Sequence, residues 1–153
     1  MSTAIVQPEK IHLQSIRVLK AHFEVAEKLM DVSTGLSHFD VDLNATPEFN
    51  LDEDSIRFRL NIIIDGYNED KIKIEVSGKY CIDTVFKVDN LDEFVKWDEK
   101  KENFSVDENI IATIAGISYS TSRGIVLDRT QGTEFKGVIL PVINPYDLLK
   151  NQD

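Results

Sequence analysis

Two stretches of alternating apolar residues in the middle of the chain limit its fold more than any other feature. Their apolar positions are Ile56, Phe58, Leu60, Ile62 and Ile64 in the first, and Ile72, Ile74, Val76, Tyr80 and Ile82 in the second. Apolar residues at every second position make one face of a β-strand apolar and leave the other face to water. The turn-forming residues 66–70 lie between the two stretches and predict a β-hairpin, with Ile64 opposite Ile72 and Leu60 opposite Val76.

Two further strands are predicted upstream of this hairpin. The first covers residues 11–25, where Ser15 and Arg17 interrupt the apolar phase in a way that is typical of a β-bulge. The second has its apolar residues at Phe39, Val41, Leu43 and Ala45. It is expected to end at Pro47, because proline has no backbone N–H to give to a strand ladder.

The C-terminal half of the chain changes to helical spacing. A short helix is predicted within residues 89–101, with Asn90 and Glu93 as its capping pair. A long helix is predicted to begin at a capping box formed by Ser105 and Glu108, and a short terminal helix has Pro145 at its first position. The chain is therefore expected to fold as one α+β domain over residues 1–153, with a four-stranded antiparallel sheet.

The predicted long helix carries a small residue at every fourth position: Ala112, Gly116, Ser120 and Gly124. A glycine inside an exposed helix costs about 1 kcal/mol relative to alanine. The close approach of another backbone would offset that cost. We therefore predict that this stripe packs against either the sheet or a second copy of the same helix, and we take it as the candidate oligomer interface.

Charge and composition exclude several classes of protein. The formal net charge is −10, which disfavours binding to the phosphate backbone of nucleic acids. The N-terminus has no basic segment followed by an apolar one, as a signal peptide would, and no 18 apolar residues run together to predict a membrane span. We therefore expect a cytoplasmic location.

The chemically reactive residues form no catalytic or metal-binding pattern. His12, His22 and His38 have no metal-ligand spacing, and Cys81, the only cysteine, has no neighbouring histidine in the sequence. We therefore expect no enzymatic activity, no metal and no cofactor, and we expect the protein to bind other polypeptides. A catalytic or ligand-binding cluster assembled only in space remains an alternative.

Several aromatic residues lie in the predicted connections rather than in the strands: Phe94, Trp97, Phe104, Phe135 and Tyr146. Such residues can cap the ends of a sheet. They can equally line grooves that accept apolar side chains of a partner.

The C-terminal third resembles the SecB family of protein-export chaperones. The residues that carry the resemblance are Tyr119 to Arg123 in the long helix, Arg129-Thr-Gln-Gly132, and the run from Leu140-Pro-Val-Ile-Asn-Pro-Tyr to Leu149. The helix segment departs from the family's Tyr-Ala-Arg-Glu core. Upstream, Phe23-Glu24 and Glu75-Val76 fall where that family has the same pairs.

The resemblance implies a homotetramer, built as a dimer of dimers, that holds unfolded preproteins without ATP in apolar grooves. It places the client-binding groove at Phe23, Val25, Leu29, Tyr146 and Leu149. It also implies docking to the translocase motor ATPase through an acidic sheet face, for which Glu24 and Glu75 are the candidate contacts.

The predicted sheet face differs from that expectation in its charge. Its basic residues are Arg57, Arg59, Lys71, Lys73 and Lys79, against the acidic Asp65, Glu75 and Asp83. This balance favours a SecB-like chaperone dedicated to one client, such as the antitoxin of a toxin–antitoxin system. A general export chaperone and an unrelated ligand-binding protein are the other hypotheses.

Overall fold

A computed structural model describes residues 4–26, 36–131 and 137–150. Its main element is an antiparallel sheet of four long strands: β1 (Ile11–Val25), β2 (Leu36–Asn50), β3 (Ser55–Asn68) and β4 (Lys73–Val88). The strand order across the sheet is β1-β4-β3-β2, so β1 and β2 are the edge strands. A long helix, α1 (Glu108–Thr130), and a short one, α2 (Pro145–Leu149), complete the predicted architecture, which is confirmed.

The core lies between the sheet and the two helices. The apolar residues of β3 that the alternation predicted to face inward, from Ile56 to Ile64, are completely buried. Ile110 and Ile114 of α1 are also buried in this core. Removing side chains of this size from water stabilises the fold by roughly 1.5–3 kcal/mol each. A buried hydrogen bond of 2.6 Å between Ser118 Oγ and Thr84 Oγ1 fixes α1 over β4.

The predicted register of the central hairpin is wrong by six residues. Ile64 pairs with Gly78 and Leu60 with Ile82, because β3 continues through a bulge to Asn68 before the chain turns. The Asn68 side-chain oxygen accepts hydrogen bonds from the backbone N–H groups of Asp70 and Ile72, both at 2.9 Å, and so builds the turn at residues 69–72 instead of 66–70. Six is an even number, so the paired side chains of β3 and β4 still point to their predicted faces. Ile72, predicted on the apolar face, precedes β4 and is 61% exposed.

The edge strands confirm one prediction and correct another. β1 has the predicted bounds, with irregularities in its pairing between Leu13 and Ser15 and between Val18 and Lys20. β2 does not end at Pro47 but continues to Asn50, with Pro47 opposite Phe58. Proline is tolerated there because an edge strand need not donate every N–H to a neighbour.

The connection between β4 and α1 differs from the predicted helix. Only Leu91–Phe94 form a short 3-10 helix. The chain then makes a small hairpin from β5 (Val95–Trp97) and β6 (Phe104–Val106). The predicted capping box is also wrong: Asp107 caps α1, and its side chain accepts a hydrogen bond of 2.8 Å from the N–H of Asn109.

The aromatic residues of the connections differ in their burial, and their role in a client groove stays a prediction. Phe94 is buried in the core, whereas Trp97 and Phe104 are exposed and contact each other with ring centroids 5.3 Å apart and ring planes tilted by 56°. Phe104 also contacts Phe49 at the end of β2, edge to face. Phe135 lies outside the described residues.

Among the described residues, α1 is long and apolar enough to cross a membrane, by length and composition. Its mean hydropathy over 18 residues is 1.3, and 44% of that window is buried within the protein. The core helix of a soluble protein passes the same test. This is weak grounds for a membrane span, and the sequence expectation of none stays a prediction.

Candidate functional site

An open cleft with both apolar and polar walls lies between β2 and the segment that leads into α2. It has a volume of about 400 Å³ and is lined by Val41, Asp42, Leu43, Val142, Ile143, Asn144, Asp147 and Leu148. The inner wall comes from the apolar face of β2 and from Leu148, which is buried. The outer wall includes Val142, which is 84% exposed. An exposed valine beside the apolar wall formed by Leu43 and Leu148 is an arrangement that suits a partner side chain.

Two side-chain hydrogen bonds hold the first turn of the short helix α2 in place. Asn144 caps it by accepting a hydrogen bond of 3.1 Å from the N–H of Tyr146, and Pro145 fits the first helical position. The Tyr146 hydroxyl donates to Asn109 Oδ1 at 2.7 Å, which ties α2 to the start of α1. These contacts set the position of Leu148 in the cleft wall.

The extended segment before α2 is braced by two side chains of α1. The Tyr119 hydroxyl donates to the carbonyl oxygen of Pro141, and Arg123 Nε donates to that of Leu140 at 3.0 Å. The Tyr119 side chain is buried, and this burial raises the pKa of its hydroxyl above the usual value. The brace leaves Leu140 buried and directs Val142 outward. Sequence reasoning placed Tyr119 and Arg123 only in a motif, although their spacing of four residues puts both on one helix face.

The predicted groove residues do not all lie together. Tyr146 and Leu149 are on α2, close to the cleft, whereas Phe23 and Val25 are on β1 at the opposite edge of the sheet, with β4 and β3 between them. Phe23 packs over Gly78, where an added Cβ would lie 3.0 Å from its ring. Leu29 lies outside the described residues. The grouping of these five residues into one groove stays a prediction.

Val25 lines a second hollow at the end of β1 and β4. The walls of this hollow also include the charged residues Glu24, Lys73 and Glu75. Glu24 and Glu75, the candidate motor contacts, lie on the sheet face that points away from α1. Glu24 is well exposed and lies 3.5 Å from His22. Their contact with a motor stays a prediction.

At one position, the small-residue stripe of α1 packs closely against another part of the same chain. A Cβ on Gly116 would lie 3.3 Å from Pro145 Cγ of α2, and Ala112 is buried. Ser120 is exposed, and a Cβ on Gly124 would meet no atom within 4 Å. Gly116 therefore lets α2 approach α1, and the outer part of the stripe is left open for the predicted contact with another copy.

In the part of the chain that the structure describes, no group of three or more histidine, cysteine or acidic side chains could hold a metal ion. Each histidine instead has one carboxylate neighbour: His12 with Asp89 at 2.9 Å, His22 with Glu24, and His38 with Asp40 at 3.9 Å. Cys81 is half-buried on the polar sheet face. The cleft between β2 and the segment that leads into α2 remains the candidate site.

Comparison with known proteins agrees with the fold. No protein-family model matches the chain, and no curated protein matches its sequence. Among solved structures, it is similar to the SecB-like chaperone Rv1957 of Mycobacterium tuberculosis, which was solved in complex with a ChAD peptide from the HigA1 antitoxin Rv1956. That match has a TM-score of 0.59 and 14% sequence identity, and covers 88% of this chain and 91% of the other. The chain therefore has a SecB-like fold, as the sequence resemblance implied.

A second similar structure is a protein of unknown function from Streptococcus agalactiae. It has a TM-score of 0.39 and 9% identity, and covers 86% of this chain and 97% of the other.

Proposed function

We propose that this protein is a chaperone that holds extended segments of unfolded polypeptides in the cleft between β2 and α2, without nucleotide. The observation that carries the proposal is the open cleft itself, with apolar walls at Leu43, Val142 and Ile143. An extended chain projects alternate side chains to opposite sides, so one bulky apolar side chain can enter while the next stays in water. Asp42, Asn144 and Asp147 at the rim can accept hydrogen bonds from the bound backbone.

One small cleft gives a weak contact, and an assembly with several clefts would hold a long chain by avidity. We therefore propose a homotetramer, built as a dimer of dimers, as the SecB-like fold suggests. A cytoplasmic location and the absence of enzymatic activity are also proposed. They rest on the sequence and on the lack of a metal-binding cluster among the described residues.

A client-dedicated chaperone is favoured over a general export chaperone. The similar M. tuberculosis chaperone was solved with a peptide from an antitoxin, which supports a dedicated client of that kind. The sheet face also balances its acidic residues with basic ones, which does not suit docking through a negative surface. The preprotein-export function is the second candidate, and it rests on the resemblance to the family.

The test is a client-protection assay with two matched substitutions. Val142→Asp puts a charge on the exposed wall of the cleft, and Ile139→Asp puts the same charge three residues earlier in the same segment, outside the cleft. Both side chains are at least 70% exposed, so neither change should disturb the core. We expect excess wild-type protein and Ile139→Asp to slow aggregation of unfolded substrates and antitoxins, and Val142→Asp to lose most of that effect. Equal protection by both variants would refute the cleft as the binding site.

A further inference from the structure

The sheet face that points away from α1 is polar, and the described helices all pack on the opposite face. Most of its side chains are open to water: Arg59 is 41% exposed, Lys73 60% and Glu24 71%. The register of the strands places charged residues from all four strands on this face. The basic ones are Arg17, Lys20, Arg57, Arg59, Lys73, Lys79 and Lys87, and the acidic ones are Glu24, Asp40, Asp42, Glu48, Asp65, Glu75 and Asp83.

These charges are sorted along the strands. The row of paired residues that contains Lys20, Cys81, Asn61 and Asn44 divides the face into two halves. We call the half on the side of Lys87 the basic half. It holds Arg17, Arg57, Arg59 and Lys87 against Glu48 and Asp83, a net charge of 4 − 2 = +2. The acidic half, on the side of Asp40, holds Lys73 and Lys79 against Glu24, Asp40, Asp42, Asp65 and Glu75, a net charge of 2 − 5 = −3.

Ion pairs within each half do not remove this separation. Arg59 is bound by both carboxylate oxygens of Asp83, at 2.7 and 2.8 Å, Arg57 pairs with Glu48, and Lys73 pairs with Asp65 at 3.2 Å. Each of these pairs lies inside one half and cancels one charge of each sign. The basic half therefore still presents Arg17, which lies near Asp83, and Lys87, which lies near Asp89 just past the end of β4, and the acidic half still presents an excess of carboxylates.

The face is also neutral in a strongly acidic protein. Its seven basic and seven acidic residues sum to zero, so the whole net charge of −10 belongs to the rest of the chain. Two copies repel each other when other surfaces meet. They meet no net repulsion when this face approaches another like it.

We propose that this sheet face is a self-association surface, on which a second copy of the chain stacks with its strands running in the opposite direction. A two-fold axis along the dividing row places the basic half of each copy on the acidic half of the other, so the contact is self-complementary. Four strands about 4.8 Å apart and 14–16 residues long give a face of roughly 950 Å², slightly more than the area of about 800 Å² that one partner contributes to a standard interface. This surface shares only Asp42 with the lining of the client cleft, and it is additional to the predicted contact through α1.

The test exchanges the charges between halves in two variants. Arg17→Glu with Lys87→Glu changes the basic half from +2 to −2, so that variant presents an acidic face throughout. Glu24→Lys with Asp40→Lys changes the acidic half from −3 to +1, so that variant presents a basic face throughout. At about 0.1 M salt the screening length is about 10 Å, similar to the spacing of stacked sheets, so charges across this contact dominate the result.

Sedimentation should show that wild-type protein forms a species of twice the mass of its smaller assembly at micromolar to millimolar concentration. Each variant alone should lose this species by at least tenfold in affinity, and an equimolar mixture of the two should restore it. The control is Lys96→Glu with Lys100→Glu on the β5–β6 hairpin, which changes the net charge as the first variant does and should sediment as wild type. Absence of the doubled species in wild type, or no recovery in the mixture, would overturn the proposal.

Cys81 gives a second readout that does not depend on affinity in solution. It lies in the dividing row, so the two-fold axis brings the thiols of both copies near each other across a gap of about 10 Å. A bismaleimide with a spacer of that length should join wild-type copies into covalent dimers through this only cysteine. The charge-exchanged variants should crosslink together and not separately. Equal crosslinking of each variant alone would overturn the arrangement.

Discussion

The Tyr119 hydroxyl, in the middle of α1, donates a hydrogen bond to the carbonyl oxygen of Pro141, the residue before the exposed Val142 of the cleft. Tyr119 is buried, and Arg123 makes a parallel bond to Leu140 one turn further along the helix. The rigid helix thus fixes the position of an extended segment that has no strand neighbour to hold it. Tyr119 and Arg123 are positioning residues for the cleft.

Tyr119→Phe should therefore weaken both stability and client binding. The change removes one partly buried hydrogen bond, which costs about 1 kcal/mol in the free energy of unfolding. The measurement is urea denaturation together with the client-protection assay. Tyr67→Phe is the control, because the Tyr67 ring stacks on His38 on the sheet face that points away from the cleft, and this change should cost less than about 0.5 kcal/mol. A Tyr119→Phe variant with unchanged stability and protection would contradict the bracing role.

Gly124→Leu separates the stability of one protomer from that of the assembly. Within the chain, a Cβ at Gly124 meets nothing within 4 Å, and leucine is a better helix former than glycine by about 0.8 kcal/mol. The single protomer should therefore not lose stability. If the open part of the stripe packs against another copy, as predicted, leucine overpacks that contact at a cost of roughly 1–3 kcal/mol. Sedimentation should then show smaller species, and an unchanged assembly would exclude this helix surface as an interface.

The pair of Arg59 and Asp83 should govern part of the acid stability. Arg59 holds the pKa of Asp83 below its usual value through two hydrogen bonds, in opposition to the effect of burial. A carboxylate with a lowered pKa in the folded state contributes stability above its unfolded pKa, near 3.8, and loses it as the pH falls through the lower folded value.

Asp83→Asn should consequently flatten the loss of unfolding free energy below pH 4, measured by denaturation at a series of pH values. Glu48→Gln is the matched control, since its pair with Arg57 is exposed on both sides. It should leave the acid profile nearly unchanged. An identical profile for Asp83→Asn and wild type would contradict the account of this pair.

Binding to the translocase motor ATPase should be weak or absent, with client binding intact. A negative docking surface is required for that contact in the family, and this sheet face is neutral overall with a basic half. Titration of the motor against the protein at low and high salt is the measurement. A tight, salt-sensitive complex that Glu75→Lys abolishes would restore the export function.

The sequence was sufficient to predict which side chains face the core. The alternation from Ile56 to Ile82 depends only on the two-residue period of a strand, and this period survives any even error in register. The sequence could not locate the turn between β3 and β4. Asn68 builds that turn through its own side chain, and a strand that continues through Asp65 and Gly66 looks the same in sequence as a loop at those positions.

Short elements and long-range contacts were harder to predict. The β5–β6 hairpin has only three residues in each strand, too few for a period to appear, and its acidic loop resembles the first turn of a helix. The cleft depends on the packing of α2 against β2, about 100 residues apart in the chain, which no local pattern reports. The stripe of small residues did predict a close approach, and at Gly116 the neighbour is Pro145 of the same chain.

Site-specific photocrosslinking tests the central claim most directly. A photoreactive amino acid placed at Val142 lies on the wall of the cleft, and the same group at Ile139 lies in the same exposed segment outside it. With an unfolded client such as an antitoxin, position 142 should give a strong covalent adduct that a folded client does not give, and position 139 should give little. Equal labelling at both positions, or no adduct at 142, would contradict the proposal that this protein holds unfolded chains in the cleft.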